Sequence, residues 1–180
     1  QHIEMALDGD GTRMATAALD KGNGTVIALG GFVRDGILEW DVPEEGDWTI
    51  INFFLEPDIE PFVDYLSPDA VRLFVNEVHE KYYGLFGGAF GSVITSTFFD
   101  EPTMYRCDGR PWTEGFNERF ESEYGFSPEP FYPALWYDIG DSTAAARNMM
   151  FGMRARMYSE GFMKVISDWA GAHGILSTGH

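Results

Sequence analysis

The sequence predicts an α/β fold, namely part of a (β/α) barrel of the TIM type that is preceded by a small β-rich segment. After residue 61, strand-like apolar runs alternate with helix-like segments, which is the order of β/α units with parallel strands. Two of these runs end in titratable residues, the position at which β/α barrels carry their functional groups. Because 180 residues are too few for a fold of roughly 250, we expect a fragment of a larger protein.

Composition and charge narrow the classes of partner. The chain is 44% hydrophobic and 16% aromatic, which is enough apolar material for a folded core. Its formal net charge of −17 repels nucleic acid and anionic membrane surfaces, whereas a neutral glycoside or oligosaccharide feels no such repulsion. The single cysteine, Cys107, excludes an intrachain disulfide and a cysteine-based zinc site. The first residue is Gln1 rather than Met, so we expect that an upstream segment is missing.

Residues 1–60 are assigned to a β-rich accessory segment or barrel edge. Strand-like runs cover 25–29, 37–42 and 48–55. The turn-forming residues 43–47 separate the last two runs, so a hairpin is expected there.

Residues 61–180 are assigned to a partial β/α-barrel catalytic domain. Ser67, Pro68 and Asp69 supply a capping hydroxyl, an N-terminal proline and an acidic first turn, which predict a helix over 67–85. The β-branched and aromatic run 92–99 predicts a parallel strand that is buried on both faces. Further helices are expected over 112–124 and 142–172, and a short strand over 175–178 in the same sheet.

The tripeptide Asp100-Glu101-Pro102 follows the predicted buried strand and is the strongest chemical signal. Desolvation by the preceding phenylalanines and a neighbouring carboxylate would favour the protonated form of a carboxyl group at this point. A protonated carboxyl can act as a general acid, as glycosidic bond cleavage requires, and we assign this catalytic role to Glu101. The alternative is that Asp100 and Glu101 are solvated loop residues.

Four further residues are candidates for binding substrate: Asp64, Asp100, Trp112 and His180. Asp64 precedes the first helix of the domain, and it would either face the site or bond to nearby backbone amides. Trp112 offers a flat face for a sugar ring, although core packing is the commoner use of such a residue. His180 ends the last strand and could donate to a sugar hydroxyl or be structural.

Several motifs resemble one enzyme family in order and spacing. They are residues 63–71 (Val-Asp-Tyr-Leu-Ser-Pro-Asp-Ala-Val), Phe90-Gly91, Phe98-Phe99-Asp100-Glu101-Pro102, Gly125, Pro133-Ala134-Leu135, Arg147, Trp169 and Gly179-His180. Over about 62–180 the chain resembles the barrel segment of the α-L-rhamnosidases of glycoside hydrolase family 106 and related glycoside hydrolases with an Asp-Glu-Pro motif.

The resemblance implies a large multidomain glycoside hydrolase that acts on plant or microbial glycans, in an extracellular or periplasmic location. It matches Glu101 to the glutamate of the Asp-Glu-Pro motif, the general acid, and places His180 near the substrate. The second catalytic carboxylate has no match here and is expected beyond His180. The family's use of calcium cannot be placed on any residue of this sequence, and no other cofactor or metal site is predicted.

Two other functions stay open on the residues alone. A partial barrel could be a non-catalytic carbohydrate-binding or structural fragment, which would lack a second carboxylate at the proper distance from Glu101. A metal-dependent hydrolase would instead require Asp64, Asp100 and His180 to converge on one ion. The sugar, the linkage and the retaining or inverting outcome do not follow from the sequence.

Overall fold

The computed structural model describes residues 1–58, 62–102 and 110–180. These residues form two compact units, each built from two separate stretches of the chain. The first comprises residues 1–57 and 114–153, and the second comprises the described part of 58–113 together with 154–180. Cys107, on which the disulfide expectation rests, lies outside the described residues. The division of the chain between residues 60 and 61 stays a prediction.

The first unit contains two three-stranded antiparallel sheets, of order β1-β5-β4 and β3-β2-β6. The strands are β1 (His2–Ala6), β2 (Thr12–Asp20), β3 (Val26–Ala28), β4 (Val33–Arg34), β5 (Ile37–Asp41) and β6 (Trp48–Leu55). Three of them, β3, β5 and β6, correspond to the predicted strand-like runs. β1, β2 and β4 were not predicted.

Strand β2 is the centre of the first unit. Seven consecutive residues of this strand, 14–20, are buried, so both of its faces are covered. Ala18 packs with Leu38 and Trp40 of β5, while its neighbour Leu19 packs with Ala134 and other apolar residues of 134–146. The small alanine side chains of β2 allow this close packing on both faces.

The predicted hairpin of residues 37–55 is wrong. β5 pairs with β1 and β4, whereas β6 pairs with β2 over its whole length, so the two runs belong to different sheets. The five intervening residues form a connection between sheets, because a turn-forming composition does not specify which strand the chain pairs with next.

Helical segments complete both units. They are α1 (Pro68–Glu77), α2 (His79–Phe86), α3 (Phe116–Tyr124), a 3₁₀ segment (Glu129–Leu135), α4 (Thr143–Tyr158), a π-helical turn (Ser159–Met163) and α5 (Lys164–Ala172). Gly125 ends α3 in the left-handed conformation, at φ 79°. Among the described residues, no helix combines the length and apolar character needed to cross a membrane.

The predicted helix over 67–85 begins as expected and is then interrupted. The Ser67 hydroxyl accepts the backbone N–H of Ala70 at 3.4 Å, and Pro68 occupies the first turn. Val78, at φ −118° and ψ −67°, departs from helical geometry and separates α1 from α2. The buried side of α1, Val71 and Val75, packs on Phe162 and Ile166 to form the core of the second unit.

The predicted helix over 142–172 is likewise two helices, α4 and α5, joined by the π turn of residues 159–163. Gly161 lies in this turn, and a Cβ atom at its position would lie only 2.6 Å from the Tyr65 carbonyl oxygen. The absence of a side chain therefore lets two backbone segments meet.

Strands β7 (Ser96–Phe99) and β8 (Leu176–Gly179) pair in parallel, with Ser96 opposite Leu176 and Phe99 opposite Gly179. The prediction that these runs share a sheet in parallel is confirmed. β7 is shorter than predicted and is not buried on both faces, since Phe98 is 65% exposed while Phe99 packs inward. Alternation of the two phenylalanines across the strand explains the difference.

The predicted barrel fold class is wrong for the described chain. Its strands form three small separate sheets, and those of the first unit are antiparallel. A barrel requires a single sheet whose first and last strands meet, and the two strands β7 and β8 cannot close on themselves. The alternation of helix and strand after residue 61 indicated a parallel pairing correctly, but it did not specify a closed sheet.

Candidate active site

The carboxyl ends of β7 and β8 bring three of the predicted site residues together. Because the strands are parallel and in register, Asp100 and Glu101 follow β7 at the same edge at which His180 follows β8. The Glu101 N–H donates to the His180 carbonyl oxygen (N···O 2.9 Å), and the His180 N–H donates to the Phe99 carbonyl oxygen (3.3 Å). These bonds continue the strand pairing past its last residue, and we call residues 100–102 with His180 the strand-end site.

Glu101 has an unusual backbone conformation. Its φ of +41° is in the left-handed region, which a residue with a Cβ atom enters at a cost of about 1–3 kcal/mol. Asp35 is the other non-glycine residue with positive φ in the described part of the chain. Such conformations persist only where the surroundings hold them, so the main-chain bond to His180 is part of what orients Glu101.

Asp100 and His180 form a pair on the surface. The His180 Nδ1 atom lies 3.3 Å from Asp100 Oδ1, and both side chains are more than two thirds exposed. The Phe98 ring lies beside the imidazole, at 5.9 Å between ring centroids. Solvent screens a pair of this kind, so its effect is to orient the imidazole rather than to stabilise the fold.

The desolvated surroundings expected for Glu101 are not observed among the described residues. Glu101 is exposed, and Phe98, which was expected to shield it, is 65% exposed. Among the described residues, the side of β7 that carries Phe99 packs against the π turn through Phe162, and the side that carries Phe98 is exposed.

One carboxylate oxygen of Asp64 bonds to the backbone, which is one of the two alternatives predicted for this residue. It is half-buried in the turn before α1, where its Oδ1 accepts the Leu66 N–H at 2.9 Å and its carbonyl oxygen accepts the Ser67 N–H at 3.2 Å. This is an Asx turn that directs the chain into the helix. A contact of Asp64 with substrate stays a prediction.

Trp112 is half-buried in the second unit. Its ring lies under the guanidinium of Arg154, with 5.9 Å from Cζ to the ring centroid, which is a cation–π contact. The ring face on that side is therefore covered by a cation. Sugar stacking by Trp112 stays a prediction.

The described residues do not assemble a metal centre. No group of three or more His, Cys, Asp or Glu side chains in residues 1–58, 62–102 and 110–180 is arranged to hold an ion. The convergence of Asp64, Asp100 and His180 that a metal-dependent hydrolase would need is thus not found there. The same residues give no fit for the calcium that the family resemblance implies.

The structure adds a residue that the sequence reasoning missed. Tyr158, the last residue of α4, donates its hydroxyl to the Pro102 carbonyl oxygen at 2.9 Å. The sequence carries no local signal for this contact, because the 142–172 segment has the pattern of one continuous helix.

A cleft of about 320 Å³ lies elsewhere, in the first unit. Its lining includes Asn23 and Thr25 from the turn between β2 and β3, together with Phe131 and Asp141. None of the predicted site residues lines it. We place the candidate chemistry at the strand-end site, because the cleft does not bring several titratable side chains together as that site does.

Comparison with known proteins places the chain in the class of glycoside hydrolases. The profile of the family described as alpha-L-rhamnosidase matches residues 8–176, which is most of the chain. The chain therefore belongs to this family, glycoside hydrolase family 106, and the resemblance found in the sequence is confirmed.

Two relatives are much longer than this chain. A protein of Formosa agariphila named "Putative beta-glucuronidase" is 27% identical over 122 residues, which cover 61% of this chain and 10% of that protein. The solved rhamnosidase from Novosphingobium sp. PP1Y superposes with a TM-score of 0.59 at 17% identity, over 87% of this chain and 17% of that one. The chain thus spans less than a fifth of either relative, and the likeness to the solved structure concerns the fold alone.

Proposed function

We propose that this chain carries the general acid of a glycoside hydrolase that cleaves α-L-rhamnosides in plant or microbial glycans. Membership of the α-L-rhamnosidase family supports the reaction class. The observation that carries the assignment of the acid is the geometry of the strand-end site, where Glu101 is held at the carboxyl edge of a parallel strand pair by its bond to the His180 carbonyl. We further propose that the complete protein, rather than this chain alone, is the active enzyme.

The proposed reaction begins with proton transfer from the Glu101 carboxyl group to the glycosidic oxygen. The bond between the anomeric carbon and that oxygen then breaks, the aglycone leaves as an alcohol, and positive charge develops on the sugar ring. A second carboxylate either attacks the anomeric carbon or takes a proton from an attacking water molecule. This second group is not assigned to a residue of this chain.

The other candidates are proposed to bind the sugar at the same edge. His180, oriented by Asp100, would present its second ring nitrogen to a hydroxyl group. Asp64 would offer the oxygen that is not used by the Leu66 N–H. Trp112 would supply an apolar face alongside the contact it makes with Arg154.

Charge favours a neutral sugar over a uronic acid. The named Formosa agariphila relative raises β-glucuronides as a second substrate class. A glucuronide carries a carboxylate, however, and the chain has 29 acidic against 12 basic residues, with Asp100 at the strand-end site. Repulsion between like charges therefore favours rhamnosides, which are uncharged.

The test is the substitution Glu101→Gln in the complete protein, which keeps the shape of the side chain and removes the transferable proton. Loss of a general acid costs about 10²–10⁴ in rate. We expect this loss in kcat for an alkyl or natural α-L-rhamnoside, and a much smaller loss for a nitrophenyl α-L-rhamnoside, whose leaving group departs without protonation. Glu118→Gln, at an exposed position on α3, is the matched control and should leave both rates unchanged.

Wild-type rates of the Glu101→Gln enzyme on the natural glycoside would refute the assignment of the acid. Nitrophenyl β-glucuronide, measured in parallel, tests the sugar: preferential hydrolysis of this compound would refute the choice of rhamnosides. A complete protein that binds rhamnosides and hydrolyses neither compound would instead support the runner-up, a non-catalytic carbohydrate-binding fragment.

A further inference from the structure

The π turn and the residue just before it, Tyr158, contact the chain on both sides of Glu101. On the strand side, the Phe99 ring packs edge-on against Phe162 of the turn, at 5.4 Å and 78° between the rings. On the other side, the carbonyl oxygen of Pro102 accepts the Tyr158 hydroxyl at 2.9 Å. Glu101 therefore lies between two residues, Phe99 and Pro102, that are both held by the helical segment. The residues that hold them, Phe162 and Tyr158, are four positions apart.

The Tyr158 ring is itself held in place. It stacks on Phe162 at 5.8 Å and 24°, and it meets Tyr65 edge-on at 6.4 Å. Burial, and to a smaller extent the neighbouring Tyr65 hydroxyl, raise the pKa of Tyr158, so its phenol stays protonated and remains a donor at ordinary pH. The hydroxyl is the polar end of a side chain whose position the aromatic packing determines.

The helix has an irregular backbone at this point, the π turn of residues 159–163. A π turn contains one residue more than the corresponding turn of an α-helix. Such turns occur frequently at functional sites. Here Gly161 approaches the Tyr65 carbonyl so closely that a Cβ atom would lie at 2.6 Å. Phe162 of the turn and Tyr158 just before it contact the chain on both sides of Glu101, and both also contact Tyr65.

We infer that Tyr158 is a positioning residue for Glu101, which acts by tethering the Asp100-Glu101-Pro102 turn through the Pro102 carbonyl. The inference rests on the proposed function of Glu101. The left-handed backbone of Glu101, at φ +41°, needs such support, and its own N–H is bound on the other side by His180. With both bonds in place, the peptide unit before Glu101 and the carbonyl group of Pro102, one residue after it, are held, so the backbone that carries the Glu101 side chain is restricted.

The test compares Tyr158→Phe with wild type in the complete protein. The substitution keeps the ring stacking and removes only the donor. A misplacement of about 1 Å in a catalytic group can cost about a hundredfold, so we expect kcat on the natural rhamnoside to fall by about tenfold to a hundredfold, with KM nearly unchanged. The nitrophenyl rhamnoside, which hardly needs the acid, should be hydrolysed at close to the wild-type rate.

The ratio of the two kcat values is the decisive quantity, because it does not depend on what fraction of the enzyme is folded. Tyr65→Phe is the matched control, since it removes a hydroxyl from the same aromatic cluster without touching the bond to Pro102. The ratio should stay at the wild-type value in this control. A ratio that is unchanged in Tyr158→Phe would overturn the inference.

The double variant Glu101→Gln/Tyr158→Phe separates the inference from the function on which it rests. If Tyr158 acts only through Glu101, the double variant is no slower than Glu101→Gln alone. A further tenfold loss in the double variant would overturn the inference and leave the assignment of Glu101 standing. If Glu101→Gln itself retained the wild-type ratio, the proposed function would fail, and the positioning role with it.

Discussion

The substitution Gly161→Ala tests the close backbone contact at the π turn. Replacing a helical glycine by alanine ordinarily stabilises a protein by roughly 0.5–1 kcal/mol, because alanine loses less conformational entropy on folding. At Gly161 the added Cβ would lie 2.6 Å from the Tyr65 carbonyl oxygen and 3.2 Å from the Leu66 carbonyl carbon. Both are backbone atoms, so a side-chain rotation cannot relieve the overlap.

The two effects oppose each other, and the steric one is larger. Forcing extra volume into a packed site costs about 1–3 kcal/mol. After subtraction of the helix-propensity gain, we expect Gly161→Ala to lower the free energy of unfolding by about 1–2 kcal/mol. Gly152, within α4, is the matched control, because a Cβ atom there meets nothing within 4 Å. Gly152→Ala should be stabilising by about 0.5–1 kcal/mol.

Urea unfolding followed by tryptophan fluorescence and far-UV circular dichroism measures both variants. With an m-value of about 2 kcal/mol per molar urea, the Gly161→Ala midpoint should fall by roughly 0.5–1 M while that of Gly152→Ala rises. The reasoning is refuted if the two variants shift the midpoint in the same direction, since the close contact with Tyr65 would then be without energetic consequence.

Two further predictions concern pH. Burial raises the pKa of Glu129 above its ordinary value near 4.5, against the lowering effect of the Thr16 backbone bond, so the wild-type protein loses stability as the pH rises through this range. The free energy of unfolding of Glu129→Gln should match that of wild type at lower pH and exceed it at neutral pH. An equal pH dependence of stability in both proteins would contradict this prediction. Burial lowers the pKa of His79 below 6.5, so stability is full above that pH and is lost as the pH falls. The variant His79→Phe keeps the ring contact with Trp169. In urea titrations its free energy of unfolding should rise relative to that of wild type as the pH falls from 7.5 to 5. A constant difference between the two would exclude His79 as the cause.

Local sequence signals predicted the elements whose stability is mainly local. The cap at Ser67 and the β-branched run of β6 correspond to the structure closely, because a hydroxyl cap and a strand-forming composition act within a few residues. Strand β2 was missed since three of its nine residues are alanines, which favour helix, and its extended form comes from pairing with β3 and β6. Tertiary contacts overrode propensity at this point.

The candidate site was predictable to the same extent. Strand-end reasoning placed Glu101 and His180 at one edge, because parallel strands present their carboxyl ends together. The hydrogen bond from Tyr158 to Pro102 was not predictable, since 56 residues separate the partners and no local pattern marks Tyr158 among the residues of its helix. The exposure of the Phe98 side chain was also missed, because a run of apolar residues does not show which face of a strand is covered.

The parallel pairing of β7 and β8 has a consequence for how the protein is made. Thr178 and Thr97, which bond within this pair, lie 81 residues apart in sequence. Closing a loop of this length costs about 4 kcal/mol of chain entropy before any contact at the pair repays it, and non-local pairings of this kind form late in folding. During synthesis the peptide bearing Glu101 therefore leaves the ribosome well before its partner strand, so the site matures only after the intervening helices have been translated.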